Sequence, residues 1–136
     1  MRQALIPPEL AEAARVSGFS PAIRAGDMLY LTGATGGDPA TGEMPADAAT
    51  QARNALTKVI NILHHAGADA AAVVEMTSYH VDIRTHFPAI EAVLREVFTA
   101  PLPAWTAVGV AELRRPGALI EFRITAHCLQ DPDGSA

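Results

Sequence analysis

Cysteine and aromatic side chains are scarce in this sequence. Cys128 is the only cysteine, so neither an internal disulfide nor a cysteine-based zinc site can form. Aromatic residues make up 5% of the 136 residues, although 49% are hydrophobic. The apolar content is therefore mostly Ala, Val, Leu and Ile, which suffices for the core of one domain and is typical of helices packed closely on a sheet.

Runs of basic residues and long apolar segments are also missing. The formal net charge is −5, and Arg114 and Arg115 form only a pair, so direct binding of nucleic acid is disfavoured. No stretch approaches the ~18 continuous apolar residues that a membrane span requires. Residues 1–18 contain no apolar run of the kind found in signal peptides. These absences predict a cytoplasmic protein that binds neither nucleic acid nor membrane.

Hydrophobic periodicity and turn residues predict an α+β fold with the element order ββαβαββ. The predicted elements are a hairpin over 15–32, a helix over 47–65 capped by Asp47, a strand over 73–83, a second helix capped by Thr85, and strands over 105–113 and 118–129. We expect the last two strands to form another hairpin across residues 114–117. Residues 1–14 are expected to be a loosely held arm, 15–130 the domain and 131–136 a flexible tail.

Two helices can cover only one face of such a sheet. The alternate residues of the last strand that belong under the helices are Ile120, Phe122, Ile124, Ala126 and Cys128. The opposite set is Leu119, Glu121, Arg123, Thr125 and His127. We expect Trp105, Ala107, Gly109 and Ala111 of the preceding strand to share the face of this second set. Such a mixed surface suits an oligomer interface, and an ordinary solvated sheet face is the alternative.

Three segments carry a resemblance to a known family. They are SPAIRAGDMLYLTG at 20–33, TGEMPAD at 41–47 followed by QARN at 51–54, and PAWTAVGV at 103–110 with IEF at 120–122. In this order they resemble the Rid proteins, the YjgF-type reactive-intermediate deaminases, over about residues 18–128. The resemblance implies a chorismate-mutase-like fold and a homotrimer with small-molecule clefts between subunits. The best-known members hydrolyse enamines and imines to ketoacids and ammonia without metal or cofactor.

The resemblance also implies roles for individual residues. Glu121 matches the acidic residue that positions the attacking water, and such a carboxylate can act as a general base. Thr32 and Gly33 match the hydroxyl and backbone positions that line the cleft. Thr106 lies in the segment that contributes to substrate binding, and Glu91 falls where many members carry asparagine. These residues are the candidate catalytic residue, Glu121, and four of the candidate substrate-binding residues.

Three positions depart from the family pattern: Ala22 and Ala34 stand where many members have tyrosine and glutamine, and position 105 bears most directly on the chemistry. Deaminating members carry an arginine after the Pro-Ala pair, and it holds the substrate carboxylate in a two-pronged, charge-assisted contact. Trp105 stands there in this sequence. Its indole could form an aromatic wall of the cleft or fill the subunit interface, where tryptophan is enriched. The sequence does not decide whether Arg114 or Arg123 takes over the lost role.

Several assignments have structural alternatives. Glu121 could take part in an inter-subunit hydrogen-bond network with Arg123, and Thr32 could be an ordinary strand residue. The histidines have no spacing typical of a metal site. Cys128 is expected to be a small buried hydrophobic residue rather than a nucleophile.

The sequence therefore predicts a Rid-like hydrolase that acts on a reactive enamine, imine or related metabolite in an inter-subunit cleft. Because the arginine is missing, its substrate should differ from 2-aminoacrylate and be larger, aromatic or without a carboxylate. The alternative is a non-catalytic trimer that binds a metabolite or regulates a partner protein. Endoribonuclease activity, reported within the family, is disfavoured by the acidic charge.

Overall fold

Strands and helices alternate along the chain in the computed structural model, which describes residues 1–129. The strands are β1 (Arg2–Leu5), β2 (Ala22–Ala25), β3 (Met28–Leu31), β4 (Ala34–Thr35), β5 (Val73–Val81), β6 (Ala104–Val110) and β7 (Ile120–His127). The α-helices are α1 (Ala11–Ser17), α2 (Ala48–His65) and α3 (Ile83–Val97), and short 3-10 turns lie at Pro8–Leu10 and Ala70–Ala72. The predicted α+β class is confirmed, and β1, α1 and β4 add to the expected elements.

Helix α2 begins and ends as its sequence predicts. An Asp47 carboxylate oxygen accepts hydrogen bonds from the Thr50 backbone N–H at 2.9 Å and from the Thr50 hydroxyl at 2.7 Å. These bonds, the side-chain bond first, lower the pKa of Asp47 and satisfy amides that a helix start leaves free. Gly67 follows the helix with φ 80°, a left-handed conformation that glycine adopts without strain.

Helix α3 begins earlier than predicted. It starts at Ile83, immediately after Asp82, which has φ 54° and makes no side-chain cap. Thr85 lies inside the first turn, where its N–H donates to the Asp82 carbonyl at 3.1 Å. The prediction of Thr85 as the cap is therefore wrong, because β5 turns directly into the helix without a connecting loop.

The sheet order is β1-β2-β3-β7-β5-β6, and the short β4 also pairs with β7. Every pair is antiparallel except β5 with β6, which is parallel. The expected hairpin between β6 and β7 is therefore wrong, since β5 lies between them. The first strand pairs with β2 from Arg2 opposite Ala25 to Leu5 opposite Ala22, so this part of the expected arm is bound to the sheet. The predicted tail, 131–136, lies outside the described residues.

The core lies between α2, α3 and one face of the sheet. All five residues of β7 and its end that were expected under the helices are buried: Ile120, Phe122, Ile124, Ala126 and Cys128. The prediction that Trp105, Ala107 and Gly109 share the face of Glu121 is wrong, because they pair with the buried residues Met76, Ser78 and His80. Directly paired residues share a face, and Trp105 pairs with the buried Met76. The indole therefore lies on the helix side, opposite to Glu121.

Candidate active site

The Glu121 carboxylate lies directly beside Gly33 in the candidate site. Glu121 is half-buried on β7 and pairs with Thr35 of β4, two residues after Gly33. A Cβ built on Gly33 would lie 2.6 Å from Glu121 Oε2. Because Gly33 has no side chain, the carboxylate can lie against the backbone between β3 and β4. A side chain at position 33 would displace the carboxylate.

Two cavities meet at this contact. One, of about 340 Å³, is lined by Gly33, Thr35, Arg114, Arg115, Pro116 and Glu121. The other, of about 420 Å³, extends from Thr32 and Gly33 toward Lys58 and Asn61 of α2. Gly33 and Thr35 line both cavities. The Glu121 carboxylate therefore lies on the wall of a cavity that has room for a small-molecule ligand.

Thr32 is exposed beside this site, and its hydroxyl has a local partner. Thr32 Oγ1 donates to the Ser20 carbonyl at 2.6 Å, and the Thr32 N–H donates to the Pro21 carbonyl at 3.0 Å. These bonds join the residues before β2 to the end of β3. The hydroxyl oxygen can still accept a hydrogen bond from a ligand.

The β6–β7 connection that carries Arg114 and Arg115 is fixed by a buried side chain of α2. Gln51 Nε2 donates to the carbonyls of Pro45 and Gly117, at 2.7 and 3.0 Å, and Gln51 Oε1 accepts from the Leu119 N–H at 2.8 Å. Arg115 donates to the Gly42 carbonyl. The cavity wall therefore has a defined backbone although it is a loop.

Trp105 lies beneath α3 and has polar and aromatic partners there. Its Nε1–H donates to Ser78 Oγ at 2.7 Å, and its ring stacks on Phe87 with centroids 5.5 Å apart and planes at 16°. The indole is half-buried and contacts the core. The indole thus packs on α3, and part of it remains exposed.

His80 completes this network. Its Nε2 is 2.8 Å from Ser78 Oγ, and its Nδ1 is buried without a partner among the described residues. Burial lowers the pKa of His80, because the charged imidazole would lose its hydration. The imidazole is therefore neutral near pH 7. Its link to Trp105 through Ser78 could not be predicted from the sequence.

Thr106 and Glu91 lie away from Glu121 in a single subunit. Thr106 is exposed and pairs with Thr77, which also pairs with Arg123, so these three share the face that carries Glu121. Glu91 on α3 accepts from Arg95 Nη2 at 3.2 Å, in an exposed pair one helical turn apart. Such a pair contributes little to stability.

The fold thus brings together Thr32, Gly33 and Glu121, and leaves Trp105, Thr106 and Glu91 elsewhere. Sequence reasoning missed the position of Arg114 and Arg115 on the same cavity wall. Within residues 1–129, no group of three or more His, Cys, Asp and Glu side chains could hold a metal ion. In the same range, no helix is both apolar and long enough to cross a bilayer.

The chain is similar to several known proteins. The family described as Endoribonuclease L-PSP matches residues 10–128. The RutC family protein YjgH of Escherichia coli is 38% identical over 96 residues, which cover 70% of this chain and 72% of the relative. The 2-iminobutanoate/2-iminopropanoate deaminase of Capra hircus is 33% identical over 120 residues, covering 88% of this chain and 85% of the relative.

A solved structure of protein YjgH superposes on the chain with a TM-score of 0.84 and 31% identity, covering 96% of this chain and 98% of that one. The fold, the matched range and the relatives point to one family. The chain belongs to the endoribonuclease L-PSP family, the Rid (YjgF-type) family that its sequence motifs resemble.

Proposed function

We propose that the chain is a Rid-type hydrolase that converts a reactive imine, or the enamine in equilibrium with it, to a carbonyl compound and ammonia. The observation that carries the proposal is the contact of the Glu121 carboxylate with Gly33 on the wall of a cavity of about 340 Å³. The goat relative, named a deaminase of 2-iminobutanoate and 2-iminopropanoate, supports the same reaction type.

In this proposal Glu121 acts first as a base and then as an acid. It removes a proton from water while the water oxygen bonds to the carbon of the protonated imine, which gives a carbinolamine. Glu121 then returns that proton to the nitrogen, the C–N bond breaks and ammonia leaves. The remaining hydroxyl proton goes to solvent as the carbonyl forms. The imine carbon is already electrophilic, so the reaction needs no cofactor or metal.

We further propose that a homotrimer completes the site. Trp105, Thr106 and Glu91 of one subunit would then face Thr32, Gly33 and Glu121 of its neighbour across a cleft. The apolar side chains exposed on the sheet face opposite the helices support association: Tyr30, 43% exposed, pairs with Thr125, and Val108, 36% exposed, pairs with Tyr79. Such a face is better covered by another subunit than by water. We place this trimer in the cytoplasm.

The substrate is proposed to differ from 2-iminobutanoate. Trp105 has no cation for a carboxylate, and its N–H already donates to Ser78. A larger imine that gains contact with an indole fits this position better. Replacing Trp105 by arginine should therefore raise activity toward 2-iminobutanoate at least about tenfold, because a charge-assisted bond to the carboxylate becomes available.

The test is ammonia release from imines that an amino-acid oxidase generates in place. Glu121→Gln should reduce the rate above background at least about 100-fold, since the amide cannot accept the proton. Glu96→Gln, which changes an exposed carboxylate of α3 that pairs with Arg53, is the matched control and should retain the rate. Equal rates for Glu121→Gln and the parent would refute the mechanism. A parent that binds ketoacids but hydrolyses no imine would favour the non-catalytic alternative.

A further inference from the structure

Two arginines outside the family's substrate position line the cavity that contains Glu121. Arg114 and Arg115 belong to the β6–β7 connection. With Gly33, Thr35 and Glu121 they line a cavity of about 340 Å³. Arg114 is exposed and makes no hydrogen bond or ion pair with another residue of 1–129. Its guanidinium is therefore available to a ligand in this cavity.

Arg115 differs from Arg114 because it is held in place by the protein. It donates to the Gly42 carbonyl, and a Cβ on Gly37 would lie 2.6 Å from its Nη1, so the guanidinium lies directly on the Gly37 backbone. Gln51 holds the same connection through Gly117 and Leu119. The backbone that follows Arg114 is thus held at Arg115, Gly117 and Leu119, which reduces the entropy that ligand binding would cost.

A third cation, Lys58, lies near the two arginines, although the whole chain is acidic and Glu121 lines the same cavity as the arginines. The formal net charge is −5, yet Lys58 of α2 lines the adjoining cavity that shares Gly33 and Thr35. Burial lowers the pKa of Lys58 first, and the charge of Arg115 lowers it further, against the effect of Asp38. Two cations that repel each other in this way favour an anion between or beside them.

We propose that Arg114, with Arg115 behind it, binds a carboxylate of the substrate at the edge of the cavity that contains Glu121. A guanidinium presents paired donors that match a carboxylate in a two-pronged contact. This inference rests on the proposed function for the reaction and narrows its substrate class. The substrate is an imino acid, larger than 2-iminobutanoate, whose carboxylate is bound by Arg114 rather than at position 105.

Binding of a stable keto acid tests the anchor without any reaction. Benzoylformate and acetophenone are suitable probes, because they differ in a carboxylate against a methyl group on the same aryl ketone. By calorimetry, Arg114→Gln should weaken benzoylformate binding at least about tenfold and leave the affinity for acetophenone within about twofold. Arg114→Lys should fall between Arg114→Gln and the parent, because it keeps the charge and loses the fork.

Arg15→Gln is the matched control. It removes one exposed positive charge from α1, where Arg15 pairs with Glu12, and should leave both affinities unchanged. Thermal unfolding of each variant checks that the fold is retained. Unchanged benzoylformate affinity in Arg114→Gln, or a parent that does not prefer benzoylformate to acetophenone, would overturn the assignment.

The reaction is followed separately, as ammonia release from the imine of phenylglycine. Hydrolysis that depends on Glu121 but not on Arg114 would leave the proposed function standing and remove the anchor. Keto-acid binding that depends on Arg114, without hydrolysis of any imine, would establish the anion site and remove the proposed function.

Discussion

Two polar regions on opposite faces of the sheet differ in what their polar groups contact. Under α3, Trp105 and His80 both contact the Ser78 hydroxyl, and Phe87 stacks on the indole. Around Gly33, the carboxylate of Glu121 and the guanidinium of Arg114 face a cavity and form no ion pair with residues 1–129.

The two regions show that some polar groups serve packing and others are available for chemistry. Buried polar groups that bond to each other stabilise and position an element. Charged groups beside open space remain available to a substrate. Trp105, the position at which the family resemblance implies a carboxylate-binding arginine, belongs to the first kind of region, and the unpaired charges lie in the second.

The largest expected effect comes from adding one methyl group to the cavity region. Gly33→Ala would place a Cβ 2.6 Å from Glu121 Oε2, so the carboxylate must move. Imine hydrolysis should fall about 100-fold, because small displacements of a catalytic group have effects of that size. Stability should change by less than about 1 kcal/mol, since the end of a flexible side chain can rotate away.

Gly109→Ala is the control for that substitution in the other region. Its Cβ would lie 3.1 Å from Ile83 Cγ2, on the α3 side of β6. Hydrolysis should stay within about threefold of the parent, because the contact is remote from Glu121. Equal losses of activity in the two variants would abolish the distinction between the regions.

Trp105→Ala should act mainly on stability. It removes a half-buried indole, its stack on Phe87 and its bond to Ser78, and we expect a loss of about 2 kcal/mol, less than for a fully buried tryptophan. Trp105→Phe keeps a ring against Phe87 and should lose only about 1 kcal/mol, the contribution of one hydrogen bond. Denaturant unfolding measures both, and an unchanged midpoint for Trp105→Ala would contradict the packing role.

The smallest effect concerns pH. The pKa of His80 is lowered by burial in the folded state. As pH falls through the ordinary histidine range, the unfolded chain therefore takes up a proton that the folded chain does not, and stability decreases. Between pH 7 and pH 5 the thermal midpoint should fall by a few degrees more in the parent than in His80→Gln.

His127→Gln provides the comparison for the pH experiment, because His127 is an exposed histidine of β7. This variant should keep the pH dependence of the parent. If it lost the dependence while His80→Gln retained it, the buried network would not be the source.

The features that depend on nearby residues could be predicted from the sequence. Asp47 caps α2 because its partner Thr50 is three residues away, and the alternation along β7 identifies its buried side directly. Predictions were wrong where the pairing of strands that are distant in sequence determines the structure. Residues 114–117 resemble a hairpin turn, yet β6 pairs in parallel with β5.

The dependence on pairing between distant strands also limits what could be predicted of the candidate site. That register, with Trp105 opposite Met76, turns the indole toward α3, and no local pattern encodes it. Arg114 and Gly33 are far apart in sequence. They line the same cavity only because β4 and the β6–β7 connection flank the same end of β7. The family resemblance suggests Glu121 and Gly33 as site residues, but it cannot suggest a cation that the family pattern does not include.

The hydrogen bonds of Gln51 have a consequence for how the substrate specificity of such proteins can change. Its amide, fully buried in α2, bonds to Pro45 before the helix and to Gly117 and Leu119 at the end of the β6–β7 connection. The interior thus holds the backbone that follows position 114, whereas the Arg114 side chain makes no hydrogen bond or ion pair with residues 1–129. Exchanging that single residue should change which molecules are accepted while the fold and its thermal tolerance stay the same, so that new specificities can arise without a loss of foldability.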